Sequence, residues 1–355
     1  MSKRQKLSFI YFEDLPDEIL LNIFSFLDIK GVLQCGQVSK RLRTISNDQC
    51  LWSKLNLFGM KVPYGIIEKA VQNGCEYLNL GFNCVYGGKK SEVPWKLKYL
   101  AISQSDDRKL DPEVPKGVIE NCQSLQKLAI HNFILDSNEI DQICQNGETL
   151  QILSLEGCIT LQSELIEKLF TKCPQLTELN IRKGRGGRFC FYNSILFDSH
   201  ACALVESLTP DILKLNLASQ KYITDEHVDT LVRRCNKITE LDLSGTKITN
   251  DSVGSIVKHL NCLEKLNVRY TNIDFSSLFQ LKSIPSLKSL HFDRLIRSKE
   301  DTEAIKKIKL QLPHISINEG YTNIAGPTKR LNGSVDLDWF WEIKAKKQDL
   351  FRETY

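Results

Sequence analysis

No run of roughly 18 or more apolar residues, the length a membrane-spanning helix needs, occurs in this 355-residue chain. The opening MSKRQKLSFIYFEDLP is basic but has neither a long apolar core nor a small-residue cleavage site, so a secretory signal is not expected. The expected compartment is therefore reducing, and the 12 cysteines are expected to stay unpaired. They include no C-x-x-C pair and no Cys/His cluster at zinc spacing, so no metal is expected. The sequence has no G-x-S-x-G, no H-E-x-x-H and no G-x-x-x-x-G-K-[ST], and its 6 histidines are dispersed. No catalytic residue and no cofactor are expected. Charge of one sign is also lacking. Lys and Arg total 47 against 43 Asp and Glu, a net charge of +4, and the signs are mixed along the chain. Nucleic-acid binders gather basic charge on one face, so neither a nucleic acid nor a membrane is an expected partner.

What is abundant is a repeat. The pattern L-x-x-L-x-L, with Ile, Val or Phe substituting, recurs at Leu97-Leu100-Ile102, Leu125-Leu128-Ile130, Leu150-Leu153-Leu155 and Leu176-Leu179-Ile181. It continues at Ile212-Leu215-Leu217, Ile238-Leu241-Leu243, Leu263-Leu266-Val268, Leu287-Leu290-Phe292 and Leu312-Ile315-Ile317. Two weaker copies come first, Trp52-Leu55-Leu57 and Cys75-Leu78-Leu80. Successive first positions from Leu97 are 28, 25, 26, 36, 26, 25, 24 and 25 residues apart. Leucine-rich repeats have periods of about 20–29 residues. The long interval marks an insertion at 182–198, which holds the Gly- and Arg-rich run Lys183–Arg188.

The last two apolar positions of each copy are two apart and therefore share one face of a short strand. The residues between them (Ser154, Asn180, Asn216, Asp242, Asn267, His291) take the opposite face and are polar. A helical segment is expected after each strand; in one, Val228, Leu231 and Val232 fall at i, i+3, i+4. One such unit cannot bury its apolar face alone, so stability comes from stacking. Cys122, Cys173 and Cys235 each lie three residues before a first position, and Cys158 lies three after Leu155. That register suits small buried apolar side chains.

Residues 12–55 read as a helical module ahead of the repeats. Pro16 suits a first helical position, and Asp17 and Glu18 suit a helix N-terminus. Ile19, Leu20, Ile23, Phe24 and Leu27 form one apolar face. Asp28 and Ser39 are expected to cap two further helices.

The string from Leu15 to Leu55 resembles an F-box, through Leu15-Pro16-Asp17-Glu18-Ile19, Ile23, Leu27, Val38, Lys40-Arg41 and Leu51-Trp52. It departs at Leu42, where many F-boxes carry Trp. Gly157-Cys158-Ile159-Thr160 with Cys173-Pro174 resembles the cysteine-containing class of leucine-rich repeats. The chain as a whole resembles the F-box/leucine-rich-repeat family. Residues 213–217, 230–235, 241–244 and 312–344 are similar to its S-phase kinase-associated protein 2 branch. The resemblance implies an α/β fold. A flexible start (1–11) and a three-helix F-box (12–55) precede a curved solenoid (56–317) of about ten repeats, parallel strands inside and helices outside. A tail (318–355) folds back on the concave face.

It implies partners as well: an S-phase kinase-associated protein 1-type adaptor, contacted by Leu15, Pro16, Ile19, Leu20, Ile23 and Phe24, and through it a cullin. It further implies a phosphorylated cell-cycle protein as substrate, with a small cyclin-dependent-kinase subunit as companion, in nucleus and cytoplasm. Strand-exit geometry adds Lys221, Asp242, Ser244, Asn267, Arg269, His291 and Asp293 as concave-face candidates. Arg269 and Lys221 could meet acidic or phosphorylated groups. Gly245 stands where that branch carries an acidic contact residue. The tail aromatics Tyr321, Trp339, Phe340 and Trp341 are expected to pack on the solenoid. The function implied is that of a non-catalytic receptor subunit of a cullin-based ubiquitin ligase. The alternatives are a receptor for an unrelated target without a kinase subunit, and a leucine-rich-repeat scaffold outside ubiquitin chemistry.

Overall fold

The computed structural model describes residues 12–57, 60–80, 84–86, 94–103, 118–158, 162–183, 198–292 and 306–318. Most of the 182–198 insertion, Asp293 and the tail beyond Asn318 lie outside these residues.

A 3-10 turn (Phe12–Asp14) leads into α1 (Asp17–Phe24), α2 (Ile29–Val38), α3 (Lys40–Ser46) and the short α4 (Gln49–Trp52). Orphan N–H groups at helix starts need acceptors, and the sequence supplies them. The Asp28 carboxylate accepts the Gly31 N–H at 2.7 Å, and the Ser39 hydroxyl accepts that of Leu42 at 3.1 Å. Asp48 does the same for Cys50 and starts α4, a helix the hydrophobic pattern does not announce. Pro16, expected inside α1, instead stands just before it at the cap position, with no side-chain cap. Leu20, Phe24 and Ile45 make a small core. The approach of α2 to α3 depends on Gly36, where a Cβ would lie 2.4 Å from the Ser46 hydroxyl oxygen.

Among the described residues the repeats form one sheet of 11 parallel strands, flanked by helices and not closed. Its strands are β1 (Lys54–Asn56), β3 (Tyr77–Asn79), β5 (Tyr99–Ser103), β6 (Lys127–His131), β7 (Ile152–Ser154), β8 (Glu178–Asn180), β9 (Lys214–Asn216), β10 (Glu240–Asp242), β11 (Lys265–Asn267), β12 (Ser289–His291) and β13 (Ser316–Ile317). Between them come α5 (Tyr64–Gln72), α6 (Ser137–Cys144), α7 (Ser163–Lys172), α8 (Asp198–Ser207), α9 (Asp225–Arg234), α10 (Asn250–His259) and α11 (Phe275–Leu278). Two further strands, β2 (Lys61–Pro63) and β4 (Cys84–Tyr86), pair outside the main sheet and carry no repeat signature.

The central leucines stack in register from Leu55 and Leu78 through Leu241 and Leu266 to Leu290. The first two, weaker copies are thus genuine rungs. The last copy is corrected: Leu290 pairs with Ile317, not Ile315. A slip of two residues preserves the strand's faces, whereas a slip of one would invert them. Ile315 and Ile317 therefore both remain buried, and the pattern alone cannot distinguish the two registers.

Four late strands, β8 to β11, end by the same device. The side-chain oxygens of Asn180, Asn216, Asp242 and Asn267 accept the backbone N–H two residues on, at 2.9–3.2 Å. The residue after that turn is left-handed at Ser219 (φ 63°), Gly245 (φ 69°) and Tyr270 (φ 58°). Glycine at 245 thus suits a conformation that other side chains rarely adopt.

The register-bound cysteines are buried. Burial pushes the thiols of Cys122, Cys158 and Cys173 up to about 12 and that of Cys235 to about 11. They are packing groups rather than nucleophiles.

Candidate functional site: a helical docking face and a polar sheet face

Two surfaces carry the candidate residues. On α1 the apolar residues divide into two stripes. Leu20 and Phe24 point into the core. Ile19 (46% exposed) and Ile23 (37% exposed) point outward, one turn apart. Pro16 is exposed and Leu15 half-buried, packed against the core cluster. Beyond α1, Phe12, Phe26, Leu27 and Val38 are also exposed, Phe26 77% and Val38 75%. Exposed apolar side chains grouped on one face make it a candidate protein-contact surface. Phe12 and Phe26 were missed by sequence reasoning.

Arg41 fixes this face. Its Nε donates to Asp17 Oδ1 at 2.8 Å, and its terminal nitrogen donates to the Leu15 carbonyl at 2.6 Å, tying α3 to the start of α1. Trp52 joins the module to the repeats. It is fully buried in the solenoid core, and its indole N–H donates to the Ser46 carbonyl at 2.7 Å. Lys69 of α5 lies over its ring, 5.4 Å from the centroid.

On the sheet, the polar residues beside the leucines line up across strands. Asn267 Nδ2 donates to Asp242 Oδ2 at 3.0 Å. Burial raises Asp242 above its ordinary carboxylate range, against the opposing pull of Ser244, Arg182 and Asn267. His291 is held low by burial and by the charge of Arg269, with Asp242 acting the other way. Asp242, Ser244, Asn267, Arg269 and His291 thus belong to one cluster across β10–β12. Asp242, Asn267 and His291 are buried, and Ser244 and Arg269 are half-buried. Lys221 is exposed in the turn before α9 and is not hydrogen-bonded to this cluster. Asp293 lies outside the described residues.

Arg182, buried and one residue beyond its repeat motif, is a member that sequence reasoning missed. A second row was missed as well. Tyr77 and Tyr99 stack with ring centroids 4.2 Å apart, flanked by Lys54 and Lys127, each 5.2 Å from a ring. The same register position carries Glu178–Lys214 at 3.1 Å and Glu240–Lys265 at 3.0 Å farther along. Reading that position down the repeats would have shown the lysine, tyrosine and alternating-charge row. Among the described residues, no three His, Cys, Asp or Glu side chains gather into a group that could hold a metal.

A helical module with an outward apolar stripe, sharing a core with a parallel-strand leucine-rich solenoid, defines an F-box/leucine-rich-repeat protein. Residues 12–57 match the family described as F-box-like, and residues 65–348 match the family described as SKP2 LRR domain. The chain belongs to the SKP2 LRR domain family, with an F-box-like domain in front of the repeats. It is similar to F-box/LRR-repeat protein 12 of Mus musculus, 24% identical over 285 residues, covering 79% of this chain and 78% of the relative. The Homo sapiens protein of the same name is 23% identical over 283 residues, covering 78% and 77%. F-box protein dre-1 of Caenorhabditis elegans is 45% identical over 51 residues, 14% of this chain and 5% of that protein. Proteins of this class are generally non-catalytic substrate adaptors, and an F-box domain implies binding to an SKP1-type adaptor.

Proposed function

We propose that the chain is the substrate-recognition subunit of a cullin-RING (SCF-type) ubiquitin ligase. The apolar stripe of α1 would seat the adaptor, which links it to a cullin, while the sheet face receives a protein target. The observation that carries this reading is the outward stripe Ile19–Ile23, backed by the small core of Leu20, Phe24 and Ile45. Docking apolar surface of this kind is worth roughly 25 cal/mol per Å² removed from water, before the costs of association. The shared core at Trp52 holds the two surfaces in one orientation. Orientation is what a non-catalytic receptor contributes, since ubiquitin comes from a separate conjugating enzyme and the gain is one of proximity.

For the target, the half-buried Arg269, backed by the charge of Arg182, favours an acidic or phosphorylated segment, because guanidinium groups pair with phosphate; that the segment belongs to a cell-cycle regulator rests on the family likeness alone. Gly245 favours a target received without the small cyclin-dependent-kinase subunit, because glycine offers no side-chain carboxylate there. The complex would work in nucleus and cytoplasm, which fractionation tests.

The decisive experiment is affinity purification of the intact chain from cells with the proteasome blocked. Adaptor and cullin should co-purify, and a chain carrying Ile19→Asp and Ile23→Asp should lose both while retaining the target. If neither adaptor nor cullin accompanies the intact chain, the proposal falls.

A further inference from the structure

A groove of about 720 Å³ lies on the helical side of the solenoid, between α7 and α8, apart from both surfaces described above. Apolar side chains of Phe170, Pro174 and Ala203 contribute to its lining. Its rim carries Glu164 and Glu167 on α7 and Glu206 on α8. All three carboxylates are exposed, and none is in an ion pair.

Elsewhere on the helical side several acidic groups have partners. There, Asp141 pairs with Lys168, Asp229 with Arg233 and Asp211 with Lys237, while Asp225 accepts hydrogen bonds from Thr249 and Ser252. Lys168, which could have neutralised the rim, is engaged with Asp141 on the preceding helix. Arg234 lines one end of the groove, and its Nε donates to the Leu208 carbonyl at 2.9 Å. Like charges one turn apart, as at Glu164 and Glu167, disfavour a helix. Here they face a third carboxylate across a cleft lined in part by apolar groups; the Ser163 hydroxyl donates to Glu164 Oε2 at 3.3 Å, while Glu167 and Glu206 have no ion-pair partner among the described residues.

We propose that this groove docks a basic segment of a partner protein. Lys or Arg side chains of the segment meet Glu164, Glu167 and Glu206 in charge-assisted hydrogen bonds. An apolar side chain between them rests against Phe170, Pro174 and Ala203. The site is independent of the ligase reading and holds whether or not the outward stripe of α1 takes an adaptor.

The test uses the full chain and a fluorescein-labelled decapeptide, Lys-Arg-Leu-Lys-Arg-Leu-Lys-Arg-Leu-Lys, read by fluorescence anisotropy at physiological salt. Combining Glu164→Gln, Glu167→Gln and Glu206→Gln should weaken binding by about ten-fold or more. The exposed set Glu18→Gln, Glu148→Gln and Glu226→Gln removes the same charge elsewhere and should change it by less than about two-fold. Cys202 lines the groove and is exposed, while Cys50 and Cys262 are exposed outside it. Saturating peptide should therefore slow N-ethylmaleimide alkylation of Cys202 and leave the other two unchanged. Equal weakening by both triple variants would reduce the effect to net charge and overturn the proposal. An unprotected Cys202 would overturn it as well. So would a concentration-dependent dimer in sedimentation that the groove variant abolishes, since the occupant would then be a second copy of this chain.

Discussion

Two glycines in helical surroundings make opposite demands. A Cβ at Gly147 would come within 1.9 Å of the Lys172 carbonyl oxygen, a backbone atom that no side-chain rotation can move. At Gly254, inside α10, a Cβ would meet nothing within 4 Å. Gly147→Ala should therefore lower stability by about 1–3 kcal/mol through overpacking. Gly254→Ala should raise it by about 0.5–1 kcal/mol through helix propensity. Urea unfolding of the two variants checks the pair, and equal effects would contradict the local packing described. Leu241 is fully buried in the stacked column, and Leu241→Ala should cost about 2–5 kcal/mol. An unchanged urea midpoint would contradict its place in the ladder. That leucine was legible in the sequence because its neighbours recur at a fixed period. The demand at Gly147 was not, because the offending carbonyl belongs to the next repeat.

Among the elements, α9 and α10 show how one helix fastens the next. Asp225, in the first turn of α9, accepts the Thr249 N–H at 2.9 Å, the Thr249 hydroxyl at 2.8 Å and the Ser252 N–H at 3.1 Å, together with the Ser252 hydroxyl. It thereby caps the start of α10 from a neighbouring repeat. Burial alone would raise this carboxyl, but the hydrogen bonds from Ser252 and Thr249 prevail and hold it below the usual range. A carboxyl lowered on folding contributes stability that is present above its unfolded pKa and lost as pH falls through its folded one. Asp225→Asn should thus cost about 0.5–2 kcal/mol near neutrality. The gap from the parent should close as pH falls below the carboxylate range; a gap that widens on acidification would refute the assignment. For α1, the sequence revealed an apolar helix but not which residues face out. Ile19 and Leu20 are adjacent and equally apolar, and only the packing of α3 against the Leu20 side decides between them.

Across the whole molecule, the period of leucines made the parallel solenoid legible, down to the two weak rungs at Leu55 and Leu78. The register of the last rung was hidden because a two-residue slip changes neither face. The polar clustering of Asp242, Asn267, Arg269 and His291 was legible as alternation, and the part played by Arg182 was not, since it lies beyond the motif. What makes these parts one device is the join at Trp52, which lies in the solenoid core while its indole reaches back to Ser46. Trp52→Ala should cost about 3–5 kcal/mol, seen as a lower urea midpoint, whereas an exposed site on α1 should tolerate change. The central claim is that the outward stripe of α1 seats the adaptor, and calorimetric titration of purified adaptor into the intact chain and its Ile23→Asp variant tests it most directly. The prediction is a loss of about a hundred-fold or more in affinity, typical of a buried apolar anchor replaced by a charge, with the urea midpoint unchanged. An affinity equal to the parent's would contradict it.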